Sequence, residues 1–310
     1  MKIIRSLESI QNEFQTGSSL TLGNFDGIHV GHQTLLLRTV EKARELGLPS
    51  VVVTYYPNPS VVLGKKPNFK YLSSEKEKEE LIRGFGIDYL LVLDFTLELS
   101  KMPAEDFLEK IMIQTLNAKH IVIGYNHFFG AERRGDFNLL DSNKSKYGYA
   151  VELKEAVLKK ESKISSSLIR GFLEKGEMEE AKILLGRNYH ITGIVFEGAK
   201  RGRTIDFPTA NIKVPEDKLL PAIGVYACFA KFNGHDHKGM VNIGHNPTFD
   251  GLGLHVEVNV FDFDGDLYGK EVELEIVHKI RDEKKFSGLD ELKGQLTKDK
   301  EESIRILNFN

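Results

Sequence analysis

The chain has 310 residues, 41% hydrophobic and 28% charged, with a formal net charge of -3. That length exceeds one ordinary core and suits two domains. The faintly acidic balance argues against a nucleic-acid partner held by bulk charge, and no apolar stretch approaches membrane-spanning length, so no membrane partner is expected. The N-terminus lacks a long apolar run of the signal-peptide kind, and the one cysteine, Cys228, cannot form an internal disulfide. A cytoplasmic enzyme is the expectation, with Cys228 a small core residue.

In chain order, Ser19–Gly23 reads as a strand and 32–46 as a helix, with Leu35, Leu36, Thr39, Val40 and Ala43 on one face and Gly47 as its stop. Val51–Thr54 is a second buried strand, 75–85 a charged helix, and Tyr89–Leu93 a third strand. A helix over 103–116, a strand at His120–Gly124 and another at Ala150–Leu153 follow. Near-continuous apolar strands alternating with helices predict a parallel, doubly wound sheet with its chemistry in the loops after the strands. Two short helical segments, 166–175 and 177–185, lead to Gly186. Beyond it the strand period dominates, at 189–196, 225–232, 240–243, 254–263 and 272–280. Asn233-Gly234 and Asp264-Gly265 are hairpin signals, and 289–306 reads as a terminal helix. The expected domains are 1–185, α/β, and 186–310, an antiparallel β-barrel with a C-terminal helix.

The densest motif is Gly23-Asn24-Phe25-Asp26-Gly27-Ile28-His29-Val30-Gly31-His32, between the first strand and the first helix. Glycine lets backbone approach a phosphate, and a helix N-terminus offers free N–H groups. His29 and His32 beside them could clamp a triphosphate and stabilise charge developing at the α-phosphorus. The bland alternative is a glycine-rich turn with incidental histidines. Ser165, Ser166 and Ser167 at a helix start, with Arg170 following, form a second candidate anion site or a plain N-cap. Ile123–Gly130, including Asn126, leaves the fourth strand.

These segments resemble the nucleotidyltransferase superfamily, with its His-x-Gly-His signature, and more specifically the bacterial FAD synthetase branch. The resemblance implies a Rossmann-like domain performing in-line attack on the α-phosphate of ATP. It assigns nucleotide and phosphate contacts to Gly23, Phe25, Asp26, Gly27, Gly31, Ser165, Ser166, Ser167 and Arg170, and a flavin or adenine contact to Ile123–Gly130 with Asn126. The chain departs from that family at Asn58, where histidine is common, and at Phe128, where arginine is common.

In the second half, Gly198-Ala199-Lys200-Arg201-Gly202-Arg203 is a basic, glycine-rich loop preceding Phe207-Pro208-Thr209-Ala210-Asn211. By composition it is an anion-binding loop or a basic surface turn. Thr209 and Asn211 share a direction if the segment is extended. The string resembles the riboflavin kinase signature. That resemblance implies phosphate contacts from Gly198, Lys200, Gly202 and Arg203, Mg2+ held near Thr209 and Asn211, a flavin-side segment with Arg281, Glu283 and Phe286, and Glu257 as catalytic base. A carboxylate between Val256 and Val258 suits that work. Standing alone, the same residue would read as an outward-facing glutamate.

His235-Asp236-His237 reads as an exposed hairpin tip, and the runs 75–80 and 298–302 as solvated helix faces. The combined resemblance implies a bifunctional enzyme with ATP as co-substrate and riboflavin, FMN and FAD as substrates or products. The rival expectations are a kinase with weak or lost adenylyltransferase activity and a flavin-binding regulatory module. Oligomeric state stays open.

Overall fold

The computed structural model describes residues 1–10, 12–66, 68–159, 162–197, 207–245 and 254–309. They form two compact units, Met1–Ser165 and Ser166–Asn310.

The first unit is built on six parallel strands: β1 (Lys2–Ile4), β2 (Ser18–Leu22), β3 (Ser50–Tyr56), β4 (Tyr89–Asp94), β5 (Ala118–Gly124) and β6 (Ala150–Lys154), in the order β1-β4-β3-β2-β5-β6. The period of two along each strand sorts its apolar residues into two cores. Leu20, Leu22, Val51, Val53, Leu91, Ile121 and Ile123 pack with Phe107, Leu108 and Ile111. Val52, Leu90, Val92 and Val122 face the other way, against Phe25, Ile28, Leu36, Val40 and Ile82. Each fully buried side chain of this size contributes about 2 kcal/mol, which explains why these strands carry apolar residues on both faces.

The helix Val30–Leu46 buries the five residues expected of it and stops at Gly47 in the left-handed region. The run predicted over 103–116 begins as an α-turn, Ala104–Asp106, and widens into a π-helix over Phe107–Thr115. β1 was not expected; three residues are too few to display a period. The strand order turns outward in both directions from β2 and β5, which are neighbours. Polar ligands of such sheets bind at the carboxyl ends flanking this switch. A small antiparallel ribbon, β7 (Leu158–Lys159) with β8 (Ser162–Lys163), closes the unit.

The second unit contains a closed, fully antiparallel barrel of β9 (Tyr189–Phe196), β10 (Ala210–Lys213), β11 (Gly224–Phe232), β12 (His235–His245), β13 (Leu254–Val260) and β14 (Glu271–Arg281), in the order β10-β13-β12-β11-β14-β9. Asn233-Gly234 is a two-residue turn with φ of 52° and 78°, as its sequence signals. Asp264-Gly265 is not; it lies in the longer connection 261–270. His235 opens β12, and His237 stacks on Phe232 with ring centroids 4.4 Å apart. The terminal helix Leu289–Leu307 covers one flank, Leu307 packing on Ala227 and Val277. Cys228 is fully buried on β11, and burial pushes its thiol pKa up.

The units divide at 165/166, whereas the sequence placed the change at 185/186. The helices Ser166–Leu173 and Met178–Leu185 pack on the barrel, with the Ala222 amide donating to the Leu173 carbonyl at 2.9 Å. Sequence period changes where helices give way to strands, and that point lies after the point where packing changes partner.

Candidate active sites

In the first unit, the segment between β2 and the first helix is strained. Phe25 and Ile28 have φ of 47° and 40°, and Gly27 has 82°. Positive φ at a β-branched residue costs about 1–3 kcal/mol and needs a surround that enforces it. The surround is the core itself, since the Phe25 and Ile28 side chains are fully buried. The Phe25 ring lies edge-on to His32. Asp26 is also committed inward: one of its carboxylate oxygens accepts from the Leu72 and Ser73 amides at 2.9 and 3.3 Å.

That pinned loop delivers His29 as the N-cap of the helix Val30–Leu46, its Nδ1 accepting from the His32 amide at 3.2 Å. Gly31 lies in the same first turn. His32 stacks beneath His29, and its pKa is held well below the usual histidine value, first by burial and then by the neighbouring His29, His127 and Lys78. His32 Nδ1 is buried with no hydrogen-bond partner among the described residues. Asn126 is exposed in the turn that leaves β5.

The motif Ser165, Ser166, Ser167 and Arg170 straddles the division between the units, with Arg170 in the last turn of the helix Ser166–Leu173. Asn58 is buried and caps the short helix Pro59–Val62 through its Oδ1. Phe128 is exposed, and the Arg133 guanidinium sits over its ring at 4.5 Å. A positive charge thus stands beside the position where the sequence lacks one.

Two groups here escaped sequence reasoning. Lys78 belongs to a run read as solvated, yet it is 4% exposed and its ammonium donates to the Asn24 carbonyl at 3.3 Å. Burial lowers its pKa, opposed by Asp26. Glu77, equally buried, completes a capping box with Ser74. A helix turned once per 3.6 residues places some members of any charged run inward, where specific partners hold them. The other is His127, in the turn after β5, whose pKa burial pushes down to about 4.

In the barrel, antiparallel register sets Asn211 of β10 opposite Glu257 of β13, and Glu257 opposite Asn242 of β12. His255, two residues before Glu257 on the same face, joins them. Its Nε2 lies 2.8 Å from a Glu257 carboxylate oxygen and also contacts Asn211 Oδ1. One ring nitrogen bridges the two residues. Sequence reasoning passed over His255, although i, i+2 spacing in a strand is the signal that finds it. Thr209 is exposed just before β10. It lines a small cleft of about 80 Å³ with Pro208, Val258, Val260 and Tyr268. A hydroxyl and a carboxamide oxygen are the hard donors that Mg2+ prefers. Thr209 and the buried Asn211, whose Oδ1 contacts the His255 ring beside the Glu257 carboxylate, offer oxygens that fit such an ion.

In the segment expected to face flavin, Arg281 ends β14 with its guanidinium forked onto Asp299 at 2.8–3.0 Å. Asp299 is 1% exposed, against the expectation of a solvated face over 298–302. Phe286 lies near the charged groups of Arg281 and Lys284, and Glu283 is exposed across from Gly244. Gly198, Lys200, Gly202 and Arg203, with the segment Asn246–Phe249, lie outside the described residues.

Comparison with known proteins separates the chain along the same lines. Residues 11–168 match the family model described as FAD synthetase, and residues 185–307 match riboflavin kinase. A bifunctional riboflavin kinase/FMN adenylyltransferase of Listeria monocytogenes is 39% identical over 92% of this chain and 90% of its own length. The Bacillus subtilis protein of that name is 39% identical over 96% of this chain and 94% of its own. Among solved structures, one described as a macrolide-efflux protein from Streptococcus pneumoniae superposes with a TM-score of 0.86 at 34% identity, covering 97% of each chain.

Proposed function

The chain belongs to the bifunctional riboflavin kinase/FMN adenylyltransferase family, and on that premise we propose how its two units divide the work. It is an enzyme that phosphorylates riboflavin to FMN with ATP and adenylylates FMN to FAD with release of pyrophosphate. The barrel performs the first reaction and the α/β unit the second. Matches over both units weigh against carrying the efflux description over to this chain.

In the α/β unit, ATP lies at the switch between β2 and β5. The strained loop and first turn, through Gly27 and Gly31, bring backbone N–H groups to the triphosphate, while the Gly23 N–H is held by the Val53 carbonyl at 3.0 Å. His29 and His32 stabilise the charge that grows on the α-phosphoryl group as the FMN phosphate attacks. Ser165, at the end of this unit, supplies a further anion contact. Asn126 and the turn around it face the flavin nucleotide. No covalent enzyme intermediate is needed.

In the barrel, Glu257 takes the proton of the ribityl 5′-hydroxyl as that oxygen attacks the γ-phosphorus of ATP, and ADP leaves. The observation that carries this assignment is the convergence of Glu257, His255 and Asn211 on one face. His255 fixes the carboxylate. Thr209 and Asn211 would hold Mg2+, which would supply neutralisation of phosphate charge. Gly198, Lys200, Gly202 and Arg203 complete the phosphate site, and Arg281, Glu283 and Phe286 border the flavin. The cytoplasm, where ATP and free flavin are at hand, is the proposed compartment.

The two reactions leave different phosphorus products, and that tests the division. Supplied riboflavin should elicit ADP, and supplied FMN should elicit pyrophosphate. FMN-dependent ADP, or no pyrophosphate, would overturn the adenylyltransferase half.

A further inference from the structure

Three imidazoles gather at the carboxyl ends of β2 and β5. Their strands are hydrogen-bonded neighbours, with Thr21 opposite Val122, so the chain leaving each strand enters the same crevice. His29 is already occupied as a helix cap. His32 Nδ1 and His127 Nε2 are not: both atoms are buried, and neither has a hydrogen-bond partner among the described residues. Buried polar atoms of this kind are rare in folded proteins unless a ligand or water completes them.

His127 is also fixed in place. Its amide donates to the Gly124 carbonyl at 3.0 Å, forming the turn that leaves β5. On the far side Phe129 is buried and bridges to Gly135. Gly130 follows with φ of 70°, its Cα so close to Ala104 that an added Cβ would lie 2.5 Å from that backbone. A turn held at both ends keeps the ring from swinging to solvent for a partner. The electrostatic influence of His127 on His32 agrees with this proximity.

We propose that His127 is a ligand-contacting residue of the adenylyl-transfer site, its buried Nε2 donating a hydrogen bond to a phosphate oxygen of the bound nucleotides. A neutral imidazole offers one N–H, and a phosphate oxygen is the acceptor these substrates bring in greatest number. The role rests on the adenylyltransferase reading above. It adds a residue that the sequence motifs did not single out. The oxygen belongs either to ATP or to FMN, and steady-state kinetics separate the two.

The test uses the full chain with His127→Phe, which keeps a ring of similar volume, and His127→Gln, which keeps an N–H near the Nε2 position. FAD formation from supplied FMN is measured at varied ATP and at varied FMN, beside FMN formation from riboflavin. His127→Phe should lose roughly 10- to 100-fold in kcat/KM for FAD formation, the loss typical of a hydrogen bond to a charged group. His127→Gln should recover most of it, and FMN formation should not change. A raised KM for ATP places the contact on the triphosphate, and a raised KM for FMN places it on the flavin phosphate. Unchanged FAD kinetics in His127→Phe, or equal losses in both variants, would overturn the role. Wild-type protein that makes no FAD at all would overturn the adenylyltransferase reading itself.

Discussion

His29 and His32 stack face to face, with ring centroids 3.6 Å apart and planes 13° from parallel. His29 Nδ1 accepts from the His32 amide, so the lone pair that caps the helix also locks the two rings together. Two positive charges at that spacing would repel, which adds to burial in keeping a proton off His32. On the proposed reading, the pair meets the substrate as pre-set hydrogen-bonding groups.

Replacing His32 by alanine should therefore reduce FAD formation by about 100- to 1000-fold, the cost of losing a pre-set donor at a developing charge. FMN formation should stay at the wild-type rate. His29→Asn retains a good helix cap and separates ring chemistry from helix stability. It should fold normally and still lose FAD formation. Steady-state rates of the two reactions in each variant check this.

The barrel gives the reciprocal expectation. Glu257→Gln should lower FMN formation by about 100- to 10,000-fold and leave adenylylation of supplied FMN intact. His255→Phe, which removes the 2.8 Å contact to Glu257, should lower kcat for FMN formation by roughly 10-fold with a smaller change in KM. Wild-type FMN formation in Glu257→Gln would remove Glu257 as the base.

Stability should depend on pH in a defined window. Burial lowers the pKa of His127 to about 4, and those of His32 and His120 also fall below 6.5. As pH drops below about 6.5 the unfolded chain takes up protons that the folded chain refuses. Stability is fully present above that value, declines towards pH 4, and levels off once the folded form protonates too. His127 alone accounts for about 3 kcal/mol of this slope. Urea midpoints measured from pH 7.5 to pH 4 should fall, and less steeply in His127→Phe.

The Arg281–Asp299 pair fastens the terminal helix to β14 through three charge-assisted hydrogen bonds, with Gln295 adding a fourth contact to Asp299. Asp299→Ala strands a largely buried guanidinium and should cost about 3 kcal/mol. Urea unfolding should report that loss. If Arg281 also borders the flavin, the variant's KM for riboflavin should rise while FAD formation from FMN is preserved.

Much of this was legible in sequence because it rests on local periodicity. The helix Val30–Leu46, the apolar strands β2 to β5 and the Asn233-Gly234 turn each follow from spacing within a dozen residues. The Gly23–His32 segment was legible because glycine, histidine and helix start coincide. Lys78, His127 and Asp299 were not, since each is meaningful only through a partner distant in sequence: Asn24, His32 and Arg281. His255 fell between the two cases. Its spacing from Glu257 was visible, but the contact with Asn211 depends on the pairing of β10 with β13.

The central claim is that one chain makes FMN and then FAD. Purified protein with riboflavin, ATP and Mg2+, sampled over time with riboflavin, FMN and FAD separated chromatographically, tests it directly. FMN should rise first and FAD should follow as FMN accumulates. A folded sample that leaves riboflavin unchanged, or that halts at FMN, would contradict it.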